Sequence, residues 1–274
     1  MPDLVLTGAS RGIGRALALA LAPRGDRLLL VARDGARLSG VVEEVKARGG
    51  RAEAVPGDLG SVAAARELGG RLAQAIGPGT TLVHNAGLWP TRREIGGDGL
   101  EAAFLVNHLA PLAMQEPLLE SGKLSRILVV SAGLIALGRF DADRTPTGAD
   151  FSTWRTYCST KLAFAVALRD VSAAHPELDV VVLHPGVVRT DLGARGGALG
   201  WLLSRLKRGL ESPEDCAARL ARILERPRWS PPGQARWLVE DEERPWPKVA
   251  ESGKTRQAVR EATQKHMPPT VPRR

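Results

Sequence analysis

One pair of residues in this sequence could move a proton to or from an oxygen atom. Tyr157 is the only tyrosine of the 274 residues, and Lys161 follows it four positions later. On a helix, that spacing places both side chains on one face, one turn apart. A neighbouring ammonium group favours the phenolate, so we expect Lys161 to lower the pKa of Tyr157. Such a pair could take a proton from an alcohol or give one to a reduced carbonyl.

A second group of residues, near the amino terminus, could hold a phosphate. The run Thr7-Gly8-Ala9-Ser10-Arg11-Gly12-Ile13-Gly14 follows apolar Leu4-Val5-Leu6 and precedes a leucine-rich stretch with helical character. A glycine turn between a strand and a helix lets the backbone approach a phosphate closely. The helix start then offers unpaired N–H groups and the positive end of its dipole. The sequence therefore predicts an anion site in this turn.

The framework that must position these residues is an alternation of strands and helices. Strands are predicted at residues 4–6, 28–31, 51–55, 81–83, 127–130 and 180–183, with helical patterns between them. This alternation is typical of a doubly wound parallel α/β sheet, the Rossmann fold. Right-handed crossovers bring the carboxyl ends of all strands to one edge. We expect that edge to collect the glycine turn, Arg33, Asp58, Asn85, Ser131 and Pro185.

The length and the 43% hydrophobic content suffice for one core, so we predict a single domain over residues 1–274. Its core spans 3–192, an apolar flap covers about 192–210, and an extension covers 211–274. Within the core we expect a helix over 100–119 kinked at Pro111 and a polar loop over 138–152. In the extension we expect a helix starting at Ser212-Pro213, a strand over 236–239 and a terminal helix over 254–266.

The charge distribution argues against a nucleic-acid-binding protein, and the cysteine and histidine spacing argues against a metal site. The net charge of +8 could indicate a nucleic-acid partner, but basic residues are interleaved with acids and no basic tract is interleaved with aromatics. An anionic cofactor accounts for some of the arginines. The two cysteines and the five histidines show no metal-ligand spacing. No leader pattern and no apolar run of about 18 residues is present, so we expect a cytoplasmic protein without a membrane span.

The motifs together resemble those of the short-chain dehydrogenase/reductase family, over about residues 3–192. The long 138–152 loop and His184-Pro185-Gly186 make the chain most similar to the retinol-dehydrogenase-like and protochlorophyllide-reductase-like branch. The matching residues are Thr7-Gly8-x-x-x-Gly12-Ile13-Gly14, Asp58-Leu59, Asn85-Ala86-Gly87, Asn107, Tyr157-x-x-x-Lys161, and Pro185-Gly186 with Thr190.

The resemblance implies how a nicotinamide dinucleotide would be bound. Gly8, Ser10, Arg11, Gly12, Ile13 and Gly14 would form the pyrophosphate turn. Asp58 and Leu59 would flank the adenine, although Asp58 also fits a plain turn. Asn85, Ala86 and Gly87 would line the ribose and nicotinamide side. Pro185, Gly186, Val188 and Thr190 would contact the carboxamide end.

The resemblance also implies the roles in proton transfer. Tyr157 would be the general acid in reduction, and Lys161 would bind the nicotinamide ribose and tune Tyr157. Asn107 would hold a water of the proton relay; the alternative is that it satisfies backbone groups near Pro111. Family members often form dimers or tetramers through the helix bearing the Tyr–Lys pair, so the resemblance also implies a candidate homo-oligomer.

Charge at the end of the second strand predicts which dinucleotide is preferred. Enzymes that use NAD place an acid there, which binds the ribose hydroxyls. In this chain the position is Ala32, followed by Arg33, and Arg11 lies inside the glycine turn. Two guanidinium groups suit a 2′-phosphate. The sequence therefore predicts NADP(H) over NAD(H), unless Arg33 merely solvates a strand end.

The sequence departs from the family at the residue that would donate a hydrogen bond to the substrate carbonyl. Aligned from Arg126, the expected serine falls on Ala132, one residue after Ser131. Adjacent residues of an extended chain point to opposite sides. Three alternatives follow: Ser131 serves after a shift of register, Tyr157 and an ordered water suffice, or catalysis is weakened.

The predicted function is NADP-dependent hydride transfer between nicotinamide and a small-molecule carbonyl or alcohol. Trp201-Leu202-Leu203 in the flap favour an apolar substrate. The alternative is a cofactor-binding regulatory or interaction protein with weakened catalysis, which Ala132 would suit.

Overall fold

The predicted alternation produces one large sheet in the computed structural model, which describes residues 2–188 and 211–267. The strands are β1 Asp3–Thr7, β2 Arg27–Ala32, β3 Arg51–Pro56, β4 Thr80–His84, β5 Leu124–Val130, β6 Asp179–His184, β7 Ala235–Val239 and β8 Glu242–Glu243. Their order is β3-β2-β1-β4-β5-β6-β7-β8. Neighbouring strands are parallel from β3 to β7, and only the described pair β7–β8 is antiparallel.

The doubly wound α/β fold is thereby confirmed. The chain leaves β1 towards β2 and β3, then returns to β4 on the other side of β1 and continues outward. The carboxyl ends of β1 and β4 therefore border a topological switch point, where open sheets of this kind bind ligands.

Helices cover both faces of the sheet. They are α1 Gly12–Leu21, α2 Gly35–Ala47, α3 Val62–Ala75, α4 Ala102–Phe104, α5 Ala110–Glu120, α6 Arg144–Thr147, α7 Thr153–Ala174, α8 Pro213–Glu225, α9 Lys248–Glu251 and α10 Gly253–His266. Serine starts four of them, because its hydroxyl accepts the N–H three residues later. These caps are Ser61, Ser152, Ser212 and Ser252.

Strand side chains alternate between two buried layers. In β2, Leu29 and Val31 join the core that contains residues of α3, α5 and α7, whereas Leu28 and Leu30 join the core that contains residues of α1, α2 and α8. Burial on both faces explains why the strands are continuous apolar runs rather than alternating ones.

The carboxyl-terminal segment adds to the same sheet and core. The strand predicted over 236–239 is β7, which pairs with β6, and the helix predicted over 254–266 is α10. Val259 and Ala262 of α10 are buried in the core with α7 residues. His108 Nε2 lies 2.8 Å from Thr263 Oγ1 of α10.

Two local expectations differ from the structure. The irregularity expected at Pro111 lies one turn earlier, as a π-helical turn over Leu105–Leu109. Its last bond runs from the Ala110 N–H to the Leu105 carbonyl, and Pro111 follows in the first turn of α5. The loop expected over 138–152 contains the short helix α6, in which Thr145 and Pro146 are buried. The flap expected over 192–210 lies outside the described residues.

No helix of the described residues has both the length and the apolar character needed to cross a bilayer.

Candidate active site

Close backbone contacts shape the glycine turn after β1. Gly8 and Gly12 have φ angles of 68° and 54°, in the left-handed region that strains residues with a side chain. A Cβ atom on Gly14 would lie 2.2 Å from the Gly8 carbonyl oxygen and 2.6 Å from Asn85 Nδ2. Glycine is therefore required at these positions, since the turn packs directly against the residues that follow β4.

Thr7 and Asn85 tie this turn to β4. Thr7 Oγ1 donates to the Val83 carbonyl at 3.3 Å and accepts from the N–H groups of Asn85 and Ala86, both at 3.0 Å. Asn85 Nδ2 donates to the carbonyl oxygens of Thr7 at 3.1 Å and Gly8 at 3.3 Å. The sequence predicts a ribose-facing role for Asn85; in the structure its side chain fixes the glycine turn.

The N–H groups in the first turn of α1 have no capping side chain, so an external acceptor can bind them. Arg11 precedes the helix without a side-chain capping bond, and the first turn has no acidic residue. Unpaired N–H groups and the dipole at a helix start favour an anion. Arg11 is exposed, Ser10 is half-buried, and Ile13 packs against the core. This geometry fits the predicted phosphate site.

The ends of β2 and β3 lie beside this site in the sheet. Arg33 is exposed. The acid next to it, Asp34, is the N-cap of α2, where its Oδ1 atom accepts from the Arg37 N–H at 3.0 Å. Asp58 is exposed and accepts from the Gly60 N–H at 3.2 Å. Leu59 is buried in the core, so its backbone rather than its side chain is available to a nucleotide.

Burial dominates the ionisation of the Tyr–Lys pair on α7. Tyr157 and Lys161 are each only 5% exposed. Burial raises the pKa of Tyr157 to about 12 and lowers the pKa of Lys161 to about 8, since it penalises the charged form of either group. The expectation that Lys161 lowers the pKa of Tyr157 is wrong for this structure. Lys161 Nζ instead donates to the Val130 carbonyl at 3.3 Å.

The loop after β4 meets Lys161 and Asn107. A Cβ atom on Gly87 would lie 2.9 Å from Lys161 Nζ and 3.4 Å from Asn107 Oδ1. Asn107 Oδ1 accepts from the Leu88 N–H at 2.7 Å, and its Nδ2 atom donates to the Leu88 carbonyl at 2.8 Å and to Thr160 Oγ1 at 3.1 Å. The Asn107 side chain is therefore committed to positioning this loop.

The backbone carbonyl of Asn107 has a different situation. A helical carbonyl normally accepts from the N–H four residues later, and that residue is Pro111, which has none. The π-helical turn over Leu105–Leu109 surrounds this position. The side chain of Asn107 is occupied by Leu88 and Thr160, so the group left to fill the predicted water-binding role is this backbone oxygen.

The departure at Ser131 and Ala132 persists in the structure. Ala132 is extended, with φ −149° and ψ 145°. Ser131 continues the sheet, and its N–H donates to the Leu183 carbonyl at 2.7 Å. Its hydroxyl is sealed from solvent and has no hydrogen-bond partner among the described residues. A buried unpaired hydroxyl is costly, and neither residue presents an open hydroxyl donor.

The loop after β6 is held by residues that no sequence motif indicates. Arg219 of α8 donates to the Pro185 carbonyl at 2.5 Å and to both carboxylate oxygens of Glu211 at 2.6 Å. Gly186 has a φ of 87°, and Val188 pairs with Glu211 in a single β-bridge. No motif around Arg219 predicts its hydrogen bond to Pro185, which is 34 residues away in the sequence. Thr190 lies outside the described residues.

Two tryptophans next to Tyr157 were also not foreseen. The rings of Trp89 and Tyr157 have centroids 4.3 Å apart, and the rings of Trp89 and Trp154 meet edge to face at 5.0 Å. The position of Trp89, two residues after the Asn85-Ala86-Gly87 motif, is the one available sequence signal.

Exposed apolar side chains follow the carboxyl ends of β4, β5 and β6. The large exposed hydrophobic residues of the described chain are Ile95, Leu137, Trp154 and Val187. They lie in the segments that follow the strand ends at the edge carrying the glycine turn.

Comparison with known proteins identifies the family to which this chain belongs. The family model described as short chain dehydrogenase matches residues 4–141. The chain belongs to the short-chain dehydrogenase family. Its predicted retinol-dehydrogenase-like branch is supported by human retinol dehydrogenase 13, which is 30% identical over 225 residues, covering 77% of this chain and 68% of that protein.

Two further proteins of this oxidoreductase family are similar to the chain. A protein of Streptomyces sp. (strain C5), provisionally assigned as a daunorubicin C-13 ketoreductase, is 35% identical over 192 residues, covering 69% of this chain and 67% of that protein. An alcohol dehydrogenase from the archaeon Thermococcus sibiricus, solved with 5-hydroxy-NADP, is 25% identical with a TM-score of 0.67, covering 90% of this chain and 99% of that one.

Proposed function

We propose that this chain is an NADP-dependent oxidoreductase that interconverts carbonyl compounds and alcohols, with Tyr157 as the general acid or base. The observation that carries the proposal is the placement of Tyr157 and Lys161 beside the loop after β4. That loop is hydrogen-bonded to the uncapped glycine turn.

The residues present fit a dinucleotide. Gly8 and Gly14 leave no room for side chains between the turn and the residues after β4, so a pyrophosphate could reach the backbone N–H groups of α1. Lys161 Nζ, beside Gly87, would hydrogen-bond the nicotinamide ribose. Asp58 would flank the adenine, and Pro185, Gly186 and Val188 would contact the carboxamide end.

The choice of NADP(H) over NAD(H) is supported by charge around the ribose site. Arg11 and Arg33 are both exposed, and guanidinium groups suit a 2′-phosphate. Asp34, the acid that could have bound the ribose hydroxyls, is used as the cap of α2. The Thermococcus enzyme, solved with an NADP derivative, supports the same preference.

The ionisation of Tyr157 suits the reductive direction. A bound NADPH would supply the hydride that reaches the substrate carbon. Because burial raises the pKa of Tyr157 to about 12, its hydroxyl is protonated at neutral pH and can donate to the oxygen that gains charge. The backbone carbonyl of Asn107 would accept a hydrogen bond from a water that returns a proton to Tyr157. The exposed apolar side chains in the segments after β4, β5 and β6 favour an apolar substrate.

The proposal is tested by NADPH oxidation with a panel of aldehydes, ketones and quinones. Tyr157→Phe should abolish turnover while leaving the Kd of NADPH unchanged, because the phenyl ring keeps the packing and removes only the proton donor. Arg33→Ser should weaken the binding of NADPH and leave the binding of NADH unchanged. Equal Michaelis constants for NADPH and NADH in the wild type would refute the cofactor preference.

A second candidate is a cofactor-binding regulatory protein with weakened catalysis. It is favoured by Ala132 and by the sealed hydroxyl of Ser131, because an active-site hydrogen-bond donor is worth on the order of 10²–10³ in rate. Ala132→Ser should raise turnover if the donor is missing, whereas an inert Ser131→Ala would exclude Ser131 as the donor. Tight NADPH binding without turnover on any substrate would favour this candidate.

A further inference from the structure

Trp89 lies against the proposed proton donor. Its ring centroid is 4.3 Å from that of Tyr157, at an interplanar angle of 41°. Trp89 is itself only partly buried, so it is not simply a member of the hydrophobic core. A flat apolar ring is thus placed within van der Waals reach of Tyr157.

The backbone next to Trp89 is held in place from both sides. Leu88 is gripped through its N–H and its carbonyl by the Asn107 side chain, at 2.7 and 2.8 Å. Pro90 follows Trp89 and is buried; a following proline restricts Trp89 to extended backbone. The ring of Trp89 is therefore presented from a constrained loop rather than from a free surface segment.

Trp154 extends this aromatic surface towards solvent. It lies in the first turn of α7, whose start is capped by Ser152 accepting from the Arg155 N–H. Its ring meets the ring of Trp89 edge to face at 5.0 Å and remains 58% exposed. A large exposed aromatic residue on a capped helix end has apolar area to offer a ligand.

We infer that Trp89 and Trp154 form an aromatic wall that selects substrates whose reacting carbonyl is attached to a flat, conjugated ring. This inference rests on the proposed function, because it assumes that the carbonyl binds at Tyr157. Flat rings gain from offset or edge-on packing against tryptophan beyond the burial of apolar area, whereas saturated rings gain only the burial. The wall therefore discriminates by shape and π-electron character.

Binding and turnover test the inference and the proposed function separately. The ligands are 2-acetonaphthone and its saturated counterpart, acetyl-decalin, which share a carbon skeleton. Dissociation constants are measured by calorimetry, with and without NADP⁺, in the wild type and in the Tyr157→Phe variant. The wild type should bind the flat ketone about fivefold more tightly than the saturated one.

The variants Trp89→Leu and Trp154→Leu should each lower this binding ratio towards one, while their affinity for acetyl-decalin changes little. The control is Trp229→Phe, because Trp229 packs on Arg126 and contacts Asp179 near the opposite ends of the strands. It should leave the ratio unchanged. Equal binding of the two ketones, or a ratio that survives both leucine variants, would overturn the inference. Absence of NADPH oxidation on either ketone would count against the proposed function alone.

Discussion

The substitution Gly14→Ala should show whether this glycine is required by the anion site, because its effect on helix stability can be compared with that of an ordinary helical glycine. At an ordinary helical position, glycine costs about 1 kcal/mol relative to alanine. Gly70 in α3 is such a position, since a Cβ atom there meets nothing within 4 Å. Gly70→Ala should therefore raise the free energy of unfolding by about 1 kcal/mol.

The same substitution at Gly14 meets the backbone of the turn. Its Cβ atom would lie 2.2 Å from the Gly8 carbonyl oxygen, whereas ordinary contact begins at 3.4 Å. The turn must then shift by roughly 1 Å, and such overpacking costs about 1–3 kcal/mol, which cancels or exceeds the gain in helix propensity. Losing one hydrogen bond to a charged phosphate, about 1.5–3 kcal/mol, weakens binding on the order of 10- to 100-fold.

The assay pairs urea unfolding with titration of NADPH fluorescence. Gly14→Ala should have the weakened Kd and no gain in unfolding free energy, whereas Gly70→Ala should keep the wild-type Kd. A Gly14→Ala protein that binds NADPH like the wild type and is as stabilised as Gly70→Ala would refute the assignment of this turn to the cofactor.

Three further predictions concern buried charge. Burial lowers the pKa of Lys161 to about 8, so the folded protein loses this proton at a lower pH than the unfolded chain does. The free energy of unfolding should therefore rise from pH 8 to 10 relative to that of Lys161→Met. Parallel plots of urea unfolding free energy against pH for the two proteins would contradict this. Burial lowers the pKa of His108 to about 3, so protonation of the unfolded chain at this residue should cost up to about 1.4 kcal/mol per pH unit below pH 6.5. His108→Gln should make the fall of unfolding free energy with pH shallower by that amount, and an unchanged slope would contradict this. Asp179 accepts from the Trp229 N–H and pairs with Arg126, so Asp179→Ala should lower the unfolding free energy by about 3 kcal/mol. An altered Kd for NADPH in Asp179→Ala would contradict its remoteness from the site.

Periodicity and glycine placement were sufficient to predict the sheet and the turn. Runs such as Leu28-Leu29-Leu30-Val31 are apolar on both faces, which only a strand covered by helices on both sides requires. The glycines of the turn were informative because they sit between such a strand and a helix. These features depend on neighbours in the chain, so a single sequence contains them.

Features set by distant contacts could not be predicted in the same way. The spacing of Tyr157 and Lys161 shows that they share a helix face, but it contains no information on burial, and burial decides both pKa values. Trp89 is far from Tyr157 in the sequence and contacts it from a loop whose Leu88 is held by Asn107. The hydrogen bond between Arg219 and the Pro185 carbonyl likewise depends on the fold.

Asp34 caps α2 while its neighbour Arg33 stays exposed. The residue that starts the helix and the residue proposed to recognise the ribose phosphate are therefore different, although adjacent. A mutation at position 33 can change the charge offered to the nucleotide without unwinding a helix end, which would cost about 1 kcal/mol. With the proposed role of Arg33, substitutions at position 33 would offer evolution or redesign a way to alter cofactor preference that leaves this helix cap intact.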